Sequence, residues 1–145
     1  MQLDRVIAKL PHGFDIMCAE ASAEGHRNME RLALDLTSGE MRFDGDGEAL
    51  LAAHVQGTLA GIGGLTIEPL LPGAFRMRRF YVRQPFRRQG VGRQLALALI
   101  EPALARSRVI TVNAGNADAP AFWMRLGFTP DLRDGHTHVL RRLRV

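Results

Sequence analysis

The chain has 145 residues, of which 46% are hydrophobic, and a formal net charge of +4. This composition excludes an intrinsically disordered chain and suits a single folded domain over residues 1–145. The one cysteine, Cys18, excludes an intrachain disulfide framework and a cysteine-rich zinc site, and it fits a reducing cytoplasm. We expect neither a signal peptide nor a membrane-spanning helix, because no apolar run approaches roughly 18 residues.

The first third of the chain carries one strand pattern and one helix pattern. Residues 14–19 form a nearly unbroken apolar run, which predicts a first strand. Apolar residues at helical spacing predict a helix over about 24–37. Ser22 is the expected N-cap of this helix, and Gly39 is its expected end.

The middle of the chain predicts three strands joined by short connections, the first of which is a turn at Gln56–Gly57. Because the connections are short, we expect these strands to pair antiparallel. Glycines inside the second strand predict a bulge or the close approach of another part of the chain. The three strands cover about 49–55, 58–67 and 75–82, and the glycines are Gly61, Gly63 and Gly64.

The last third alternates helices and strands. A helix begins near Val91, and Pro102 is expected to kink or end it. A strand over 109–114 follows, and the strand–helix–strand unit predicts a parallel, right-handed crossover. A short helix capped by Asp118 and ended by Gly127 comes next, and residues 128–130 and 137–143 form the last strands. The element order predicts a mixed α/β fold with one central sheet.

A glycine turn between a strand and a helix, within residues 80–99, is the segment most informative about chemistry. The N-terminus of a helix presents unpaired N–H groups and the positive end of its dipole, which suits a phosphate or pyrophosphate. Arginines cluster around this turn, between Arg76 and Arg93, and this favours a phosphorylated cofactor over nucleic acid. The turn is neither a Walker loop nor a dinucleotide fingerprint, since Leu95 stands where the third glycine is required.

The residues around the turn resemble motif A of the GNAT (GCN5-related) N-acetyltransferase superfamily. The string Phe80-Tyr81-Val82 precedes a turn that reads Arg87-x-x-Gly90-x-Gly92. Residues 116–128, about thirty positions further on, resemble motif B of the same superfamily. The resemblance implies a GNAT-like acyl-CoA N-acyltransferase fold, with a central, mixed and mostly antiparallel sheet flanked by helices. It also implies the transfer of an acetyl group from acetyl-CoA to an amine, without a metal.

The resemblance further implies where acetyl-CoA binds. Backbone N–H groups of Arg88–Arg93 would hold the pyrophosphate, and the strand edge at Phe80–Val82 would pair with the pantetheine arm. In the family, the fourth and fifth strands splay apart, and the thioester enters the gap. Asn116 would contact the cofactor, and Phe122 would line the same slot. The implied cofactor-binding residues are Phe80, Tyr81, Val82, Arg87, Arg88, Gln89, Gly90, Val91, Gly92, Arg93, Asn116, Phe122 and Trp123.

The catalytic groups are less clear from the sequence. The backbone N–H of Val82 is the oxyanion donor that the resemblance implies. Many family members carry a tyrosine as general acid where Trp123 stands here, and an indole is not a practical proton donor. Trp123 is therefore interpreted as a hydrophobic wall, and Tyr81 is either the acid or a residue of the core or the pocket lining. Glu68 is the first candidate for the base, ahead of Glu20, His54 and His136, and the alternative for Glu68 is a solvated loop carboxylate.

The acceptor is the amine of an unidentified molecule, with a small molecule favoured over a protein. Arg78 and Arg79 either form structural salt bridges or bind a substrate carboxylate, which predicts an acidic amine. The first helix and the loop at 69–73 are expected to form the acceptor pocket. The alternatives are a GNAT-like module that binds acyl-CoA without turnover and a basic nucleic-acid-binding domain. A homodimer remains open, and no membrane partner is expected.

Overall fold

The computed structural model describes residues 1–115 and 119–142. Its strands are β1 (Gln2–Arg5), β2 (Ala49–Val55), β3 (Thr58–Ile67), β4 (Phe75–Val82), β5 (Val109–Val112), β6 (Thr129–Arg133) and β7 (His136–Arg141). Its α-helices are α1 (Phe14–Ala23), α2 (Asn28–Ser38), α3 (Val91–Arg106) and α4 (Ala119–Arg125), and a 3-10 turn covers Gln84–Phe86. None of the helices in these ranges is long and apolar enough to span a membrane.

The strands form one sheet in the order β1-β2-β3-β4-β5-β7-β6. Every neighbouring pair is antiparallel except β4 and β5, which are parallel and joined through α3. Helices α1 and α2 bury apolar residues on one face of the sheet, and α3 and α4 bury theirs on the other. The predicted mixed, mostly antiparallel fold flanked by helices is confirmed.

The prediction of a strand over residues 14–19 is wrong, because these residues begin α1. Phe14, Met17 and Ala21 are buried at spacings of three and four, so one helical face meets the core. A short apolar run fits a strand and a helix equally well, and periodicity alone does not separate them. The first strand is instead β1, four residues at the edge of the sheet with no strong apolar alternation.

Helix α2 begins at Asn28, later than predicted, and Ser22 does not cap it. Ser22 lies in α1, and its hydroxyl donates a hydrogen bond to the Glu30 carboxylate over 2.7 Å. Gly39 ends α2 with a φ of 78°, as predicted. Helix α3 continues past Pro102 to Arg106, so of the two predicted effects of this proline, a kink or an end, the end is wrong. Burial of α3 residues on both sides of the proline offsets the one backbone hydrogen bond that it removes.

A bulge in β4 shifts the register against β3 by one residue. Ile62 pairs with Tyr81 while Gly64 pairs with Arg78, so β4 carries one extra residue opposite Gly63. Arg79 lies at this point with a φ of 59°. A Cβ on Gly63 would lie 2.6 Å from the ring of Phe80, so only glycine leaves room for that ring. The predicted bulge and close approach are both confirmed.

We predict that Gly64→Ala destabilises the fold. A Cβ at this position would lie 2.8 Å from Cδ1 of the buried Phe43 ring and 3.2 Å from Leu50. Overpacking of this kind costs about 1–3 kcal/mol of unfolding free energy, which urea unfolding would measure. Gly115→Ala is the control, because nothing lies within 4 Å of its added Cβ. Equal stabilities for the two variants would contradict the packing described here.

Candidate active site

A gap opens between the two central parallel strands. β4 pairs with β5 only where Phe75–Met77 face Ile110–Val112. β5 ends at Val112, whereas β4 continues to Val82. The second half of β4 therefore has an edge that no β5 residue covers, and an extended ligand can pair with an open strand edge of this kind.

The backbone of Val82 points its N–H toward this gap. Arg83 donates its N–H to the carbonyl of Ala60 in β3 over 2.8 Å. The carbonyls of Phe80 and Val82 instead accept hydrogen bonds from side chains, Nδ2 of Asn28 over 2.7 Å and Nε of Arg87 over 2.9 Å. Since successive residues of a strand direct their polar groups to opposite edges, the Val82 N–H lies on the edge away from β3.

The glycine turn leads directly into the first turn of α3. Arg88 and Gly90 have φ values of 63° and 80°, and Gly90 is the N-cap of the helix. The N–H groups of the first helical turn have no intrahelical acceptor and lie at the positive end of the dipole. Gly92 serves close packing, since a Cβ there would lie 3.2 Å from the Phe122 ring and 3.4 Å from Val82. The two glycines thus have different physical roles.

A cleft of about 730 Å³ extends from this turn along the open edge of β4. Its wall brings together most of the residues predicted to bind a cofactor: Phe80, Tyr81, Val82, Arg87, Arg88, Gly90, Val91, Gly92, Arg93, Phe122 and Trp123. Gln89 is not part of this wall, because its amide donates to the carbonyl of Pro85 over 3.0 Å. Asn116 lies outside the described residues.

The sequence did not point to several residues of the cleft wall, which are Glu24, His26, Phe86, Ala119 and Arg125. Glu24 and His26 lie in the connection between α1 and α2, far from the glycine turn in sequence. Only docking of that connection against β4 brings them to the cleft, so no local motif identifies them.

A second cavity of about 560 Å³ adjoins the cleft. It lies between the start of α2, the first half of β4 and the end of β5, and it shares His26, Phe80, Ala119 and Trp123 with the cleft wall. The two spaces therefore meet at these residues. The loop 69–73, expected at an acceptor pocket, does not line this cavity, whereas Asn28 and Arg31 of α2, the helix predicted over 24–37, do.

Four arginines of the basic cluster around the glycine turn form ion pairs with carboxylates. The pairs are Arg76–Glu68 at 2.6 Å, Arg79–Asp35 at 2.7 Å, Arg83–Glu20 at 2.8 Å and Arg87–Glu24 at 2.8 Å. Of the two roles considered for Arg79, a structural salt bridge and a substrate contact, the structure shows the salt bridge. Arg78 has no carboxylate partner among the described residues, and its Nε donates to Thr66 Oγ1 over 2.7 Å. The charges of these four arginines are thus balanced within the protein.

The geometry disfavours the base candidates named from the sequence. Glu68 is fully buried, binds Arg76, and accepts a hydrogen bond from Thr111 over 3.2 Å. It is absent from the walls of both spaces, so the expectation of a solvated loop carboxylate is wrong. Glu20 is held by Arg83, and this hydrogen bond lowers the pKa of Glu20. His54 and His136 lie 3.0 Å from Asp4 and Asp131, away from both spaces.

Tyr81 and Trp123 are both held in the wall of the cleft. The hydroxyl of Tyr81 donates to Glu24, and burial, followed by this hydrogen bond, raises the pKa of Tyr81 well above its ordinary value. A phenol that holds its proton this firmly is a poor general acid. Trp123 is buried and packs edge-to-face on Phe80, Phe122 and Phe128 at 4.8–5.3 Å, as a hydrophobic wall does.

We predict that Glu24 makes the stability of the fold depend on acid pH. Two hydrogen bonds from Arg87, with one from Tyr81, lower the pKa of Glu24 from 4.5 to about 2. Its contribution is therefore complete above pH 4.5 and is lost as the pH falls toward about 2. Glu24→Gln should remove this part of the pH dependence in urea unfolding. Glu101→Gln, on the exposed face of α3, should keep this pH dependence. If the unfolding free energies of the two variants changed with pH in the same way, Glu24 would not be its source.

Comparison with known proteins supplies the family. The model of the Acetyltransferase (GNAT) family matches residues 14–128. No curated protein matches the sequence at a significant level. The solved structures that share the fold include a candidate acetyltransferase from Exiguobacterium sp. 255-15, with a TM-score of 0.87 and 24% identity over 97% of this chain and 92% of that one.

Two further structures extend the comparison. An acetyltransferase from Streptococcus agalactiae 2603 has a TM-score of 0.75 and 14% identity, over 97% of this chain and 98% of that one. Rv2747 from Mycobacterium tuberculosis, solved in complex with CoA and NLQ, has a TM-score of 0.62 and 15% identity, over 91% and 74% of the two chains. Family and fold together support acyl transfer as the general chemistry. With the family model covering most of its length, the chain belongs to the acetyltransferase (GNAT) family.

Proposed function

We propose that this protein transfers the acetyl group of acetyl-CoA to the primary amine of a small molecule. The observation that carries the proposal is the junction of the two spaces. The cleft begins at a helix N-terminus suited to a pyrophosphate, and it runs along an open strand edge into a second cavity. The thioester would reach the junction at Phe80 and Trp123, where an amine in the second cavity can meet it.

The turn and the strand edge provide different contacts for acetyl-CoA. N–H groups at the start of α3, with the exposed Arg88 and Arg93 beside them, would hold the pyrophosphate. The open edge of β4 at Phe80 would pair with the pantetheine arm, which leaves the Val82 N–H for the thioester oxygen. The aromatic wall of Phe122 and Trp123 would exclude water from the thioester.

The reaction would proceed by direct attack. The amine nitrogen forms a bond to the thioester carbonyl carbon, and the negative charge on the carbonyl oxygen is stabilised by the Val82 N–H. The C–S bond then breaks, the thiolate of CoA leaves and takes a proton from water, and a base takes the proton that the amine loses. A thiol with a pKa near 8.5 leaves readily without a dedicated acid.

His26 is the residue that we propose as the base. It is half-buried, and it lines both the cleft and the second cavity, so its ring lies where the amine and the thioester meet. The ring makes an edge contact with Tyr81 at a centroid distance of 6.2 Å, and the backbone N–H of His26 donates to the carbonyl of Ala21. Histidine is the side chain that most often accepts a proton near neutral pH.

The donor site is tested first by thermal unfolding with acetyl-CoA, with CoA, and with ATP or NADH as controls. A ligand at about 100 times its Kd adds about 2.7 kcal/mol of stability and raises Tm by several degrees. We expect a shift with the two CoA compounds only. Stabilisation by nucleic acid without a CoA shift would overturn the proposal in favour of a nucleic-acid-binding domain.

Gly90→Ala should weaken acetyl-CoA binding, since φ is 80° at this position and alanine would strain or rearrange the turn. A strain of about 1–2 kcal/mol corresponds to roughly a tenfold rise in Kd. Gly57→Ala is a matched control, because Gly57 has a φ of 79° in a hairpin turn that lines neither space. Both variants lose stability, but only Gly90→Ala should show a smaller Tm shift with acetyl-CoA, about half of the original one at the same ligand concentration.

His26→Gln should lower kcat, because the variant has no imidazole to take the proton that the amine loses. Proton transfer by a positioned side chain contributes about 10²–10⁴-fold, so a loss in that range is expected. His12→Gln, an exposed histidine outside both spaces, is the control. A kcat of His26→Gln equal to that of His12→Gln would exclude His26 as the base.

A further inference from the structure

We infer that the acceptor is a small amine with an anionic group, which Arg31 and Arg78 bind in the second cavity while Asn28 and His26 face the reacting nitrogen. The inference rests on the proposed acetyl transfer and names the substrate class of the same site. It follows from the charges of the cavity wall, from the arginines that lack an internal partner, and from an unpaired oxygen beside the open strand edge.

The wall of the second cavity is strongly cationic. Over the part of the chain that the structure describes, the ionisable side chains of the wall are His26 and five arginines, without a carboxylate: Arg27, Arg31, Arg76, Arg78 and Arg79. A cavity of one charge sign attracts ligands of the opposite sign. An acceptor with several positive charges, such as a polyamine, would meet repulsion here.

Only some of these arginines are available to a ligand. Arg76 binds Glu68 and Arg79 binds Asp35, so their charges are balanced internally. Within the described ranges, Arg27, Arg31 and Arg78 have no ion-pair partner. The cavity thus keeps a surplus of positive charge after its internal pairs are counted.

Arg78 has the strongest need for a counter-ion. Its side chain is half-buried, and only its Nε is used within the described protein, by Thr66 Oγ1 at 2.7 Å. Burial, followed by the neighbouring guanidiniums of Arg76 and Arg79, lowers the pKa of Arg78. A partly desolvated cation among other cations gains most from an anion that binds its free terminal nitrogens.

The other end of the ligand is fixed by Asn28. Its Nδ2 donates to the Phe80 carbonyl, whereas its Oδ1 is buried without a hydrogen-bond partner among the described residues. An unpaired buried oxygen costs stability, and an N–H group of a bound amine would satisfy it. Arg31 lies three residues further along α2, so both side chains project from the same face of the helix into the cavity.

This arrangement also favours the reactive form of the amine. Nearby positive charges disfavour a protonated amine and therefore lower the pH at which the neutral nucleophile is present. The anionic group holds the substrate in the cationic cavity, and the same charges favour the neutral form of its amine. Anchoring and activation therefore have one electrostatic source.

The test compares matched acceptors by CoA release from acetyl-CoA. Glycine, β-alanine, aspartate and glutamate are each compared with the amide of the same amine, and O-phosphoethanolamine is compared with ethanolamine. We expect kcat/KM to be roughly tenfold or more higher for the anionic member of at least one pair, the value of one charge-assisted contact. The phosphate pair separates a phosphate-bearing acceptor from a carboxylate-bearing one. Equal or faster turnover of the neutral amines or of putrescine would overturn the inference.

Variants connect the preference to the cavity. Arg31→Gln should raise KM for the preferred anionic acceptor roughly tenfold and leave that of its amide unchanged. Arg31 is exposed on α2, so the fold should tolerate the change. Arg141→Gln removes the same charge from an exposed position of β7 outside both spaces and should change neither value. An equal effect of Arg31→Gln on both acceptors would contradict a charge contact.

A binding experiment keeps the inference testable without turnover. N-acetyl-β-alanine and N-acetylglutamate, and the amides of both, are titrated into the CoA-loaded protein by calorimetry. The anionic products should bind and their amides should bind at least roughly tenfold more weakly. Absence of binding by the anionic products, in a protein that acetyl-CoA does stabilise, would overturn the acceptor class and leave the proposed acetyl transfer intact. Absence of any stabilisation by acetyl-CoA would instead overturn the proposed transfer.

Discussion

The end of the pairing between β4 and β5, beyond Met77 and Val112, is the constraint on which both spaces depend. Backbone groups that a neighbouring strand would satisfy are left on the open edge, where Asn28 and Arg87 already take two carbonyls. The bulge at Arg79 then sets which side chains face which side. Because of the extra residue, Phe80 and Val82 point toward α3, and Arg79 and Tyr81 point toward α1 and α2.

Local chemistry explains which parts of the fold could be predicted. The hairpin strands β2 and β3, strand β4 and the start of α3 appear with the predicted bounds, because alternation, turn residues and glycines act over a few positions. The same holds for the glycine turn of the cleft. The prediction for residues 14–19 was wrong because their apolar spacing fits a strand and a helix equally well. Strand β1 was not predicted, because an edge strand of four residues carries almost no sequence pattern.

Long-range docking explains what could not be predicted of the candidate site. The second cavity forms only because the connection between α1 and α2 packs against β4, some fifty residues further along the chain. His26 and Asn28 carry no motif, so their chemistry appears only once that contact exists. Arg76 and Arg79 look identical to Arg78 in sequence, but Glu68 and Asp35 neutralise them in the fold. Net charge therefore says little about which arginine faces a ligand.

Helix α2 holds the bulge from two sides. Asp35 binds the guanidinium of Arg79 at 2.7 Å, and Asn28 binds the carbonyl of Phe80 at the same distance. Arg31 lies between these two attachments on the same helix. To the extent that a molecule bound at Arg31 displaces α2, it also displaces the strand edge that faces the cleft. Thermodynamic linkage makes this effect reciprocal, so donor and acceptor change each other's affinity by the same factor. The two proposed sites are then coupled through α2 without any direct contact between the two molecules.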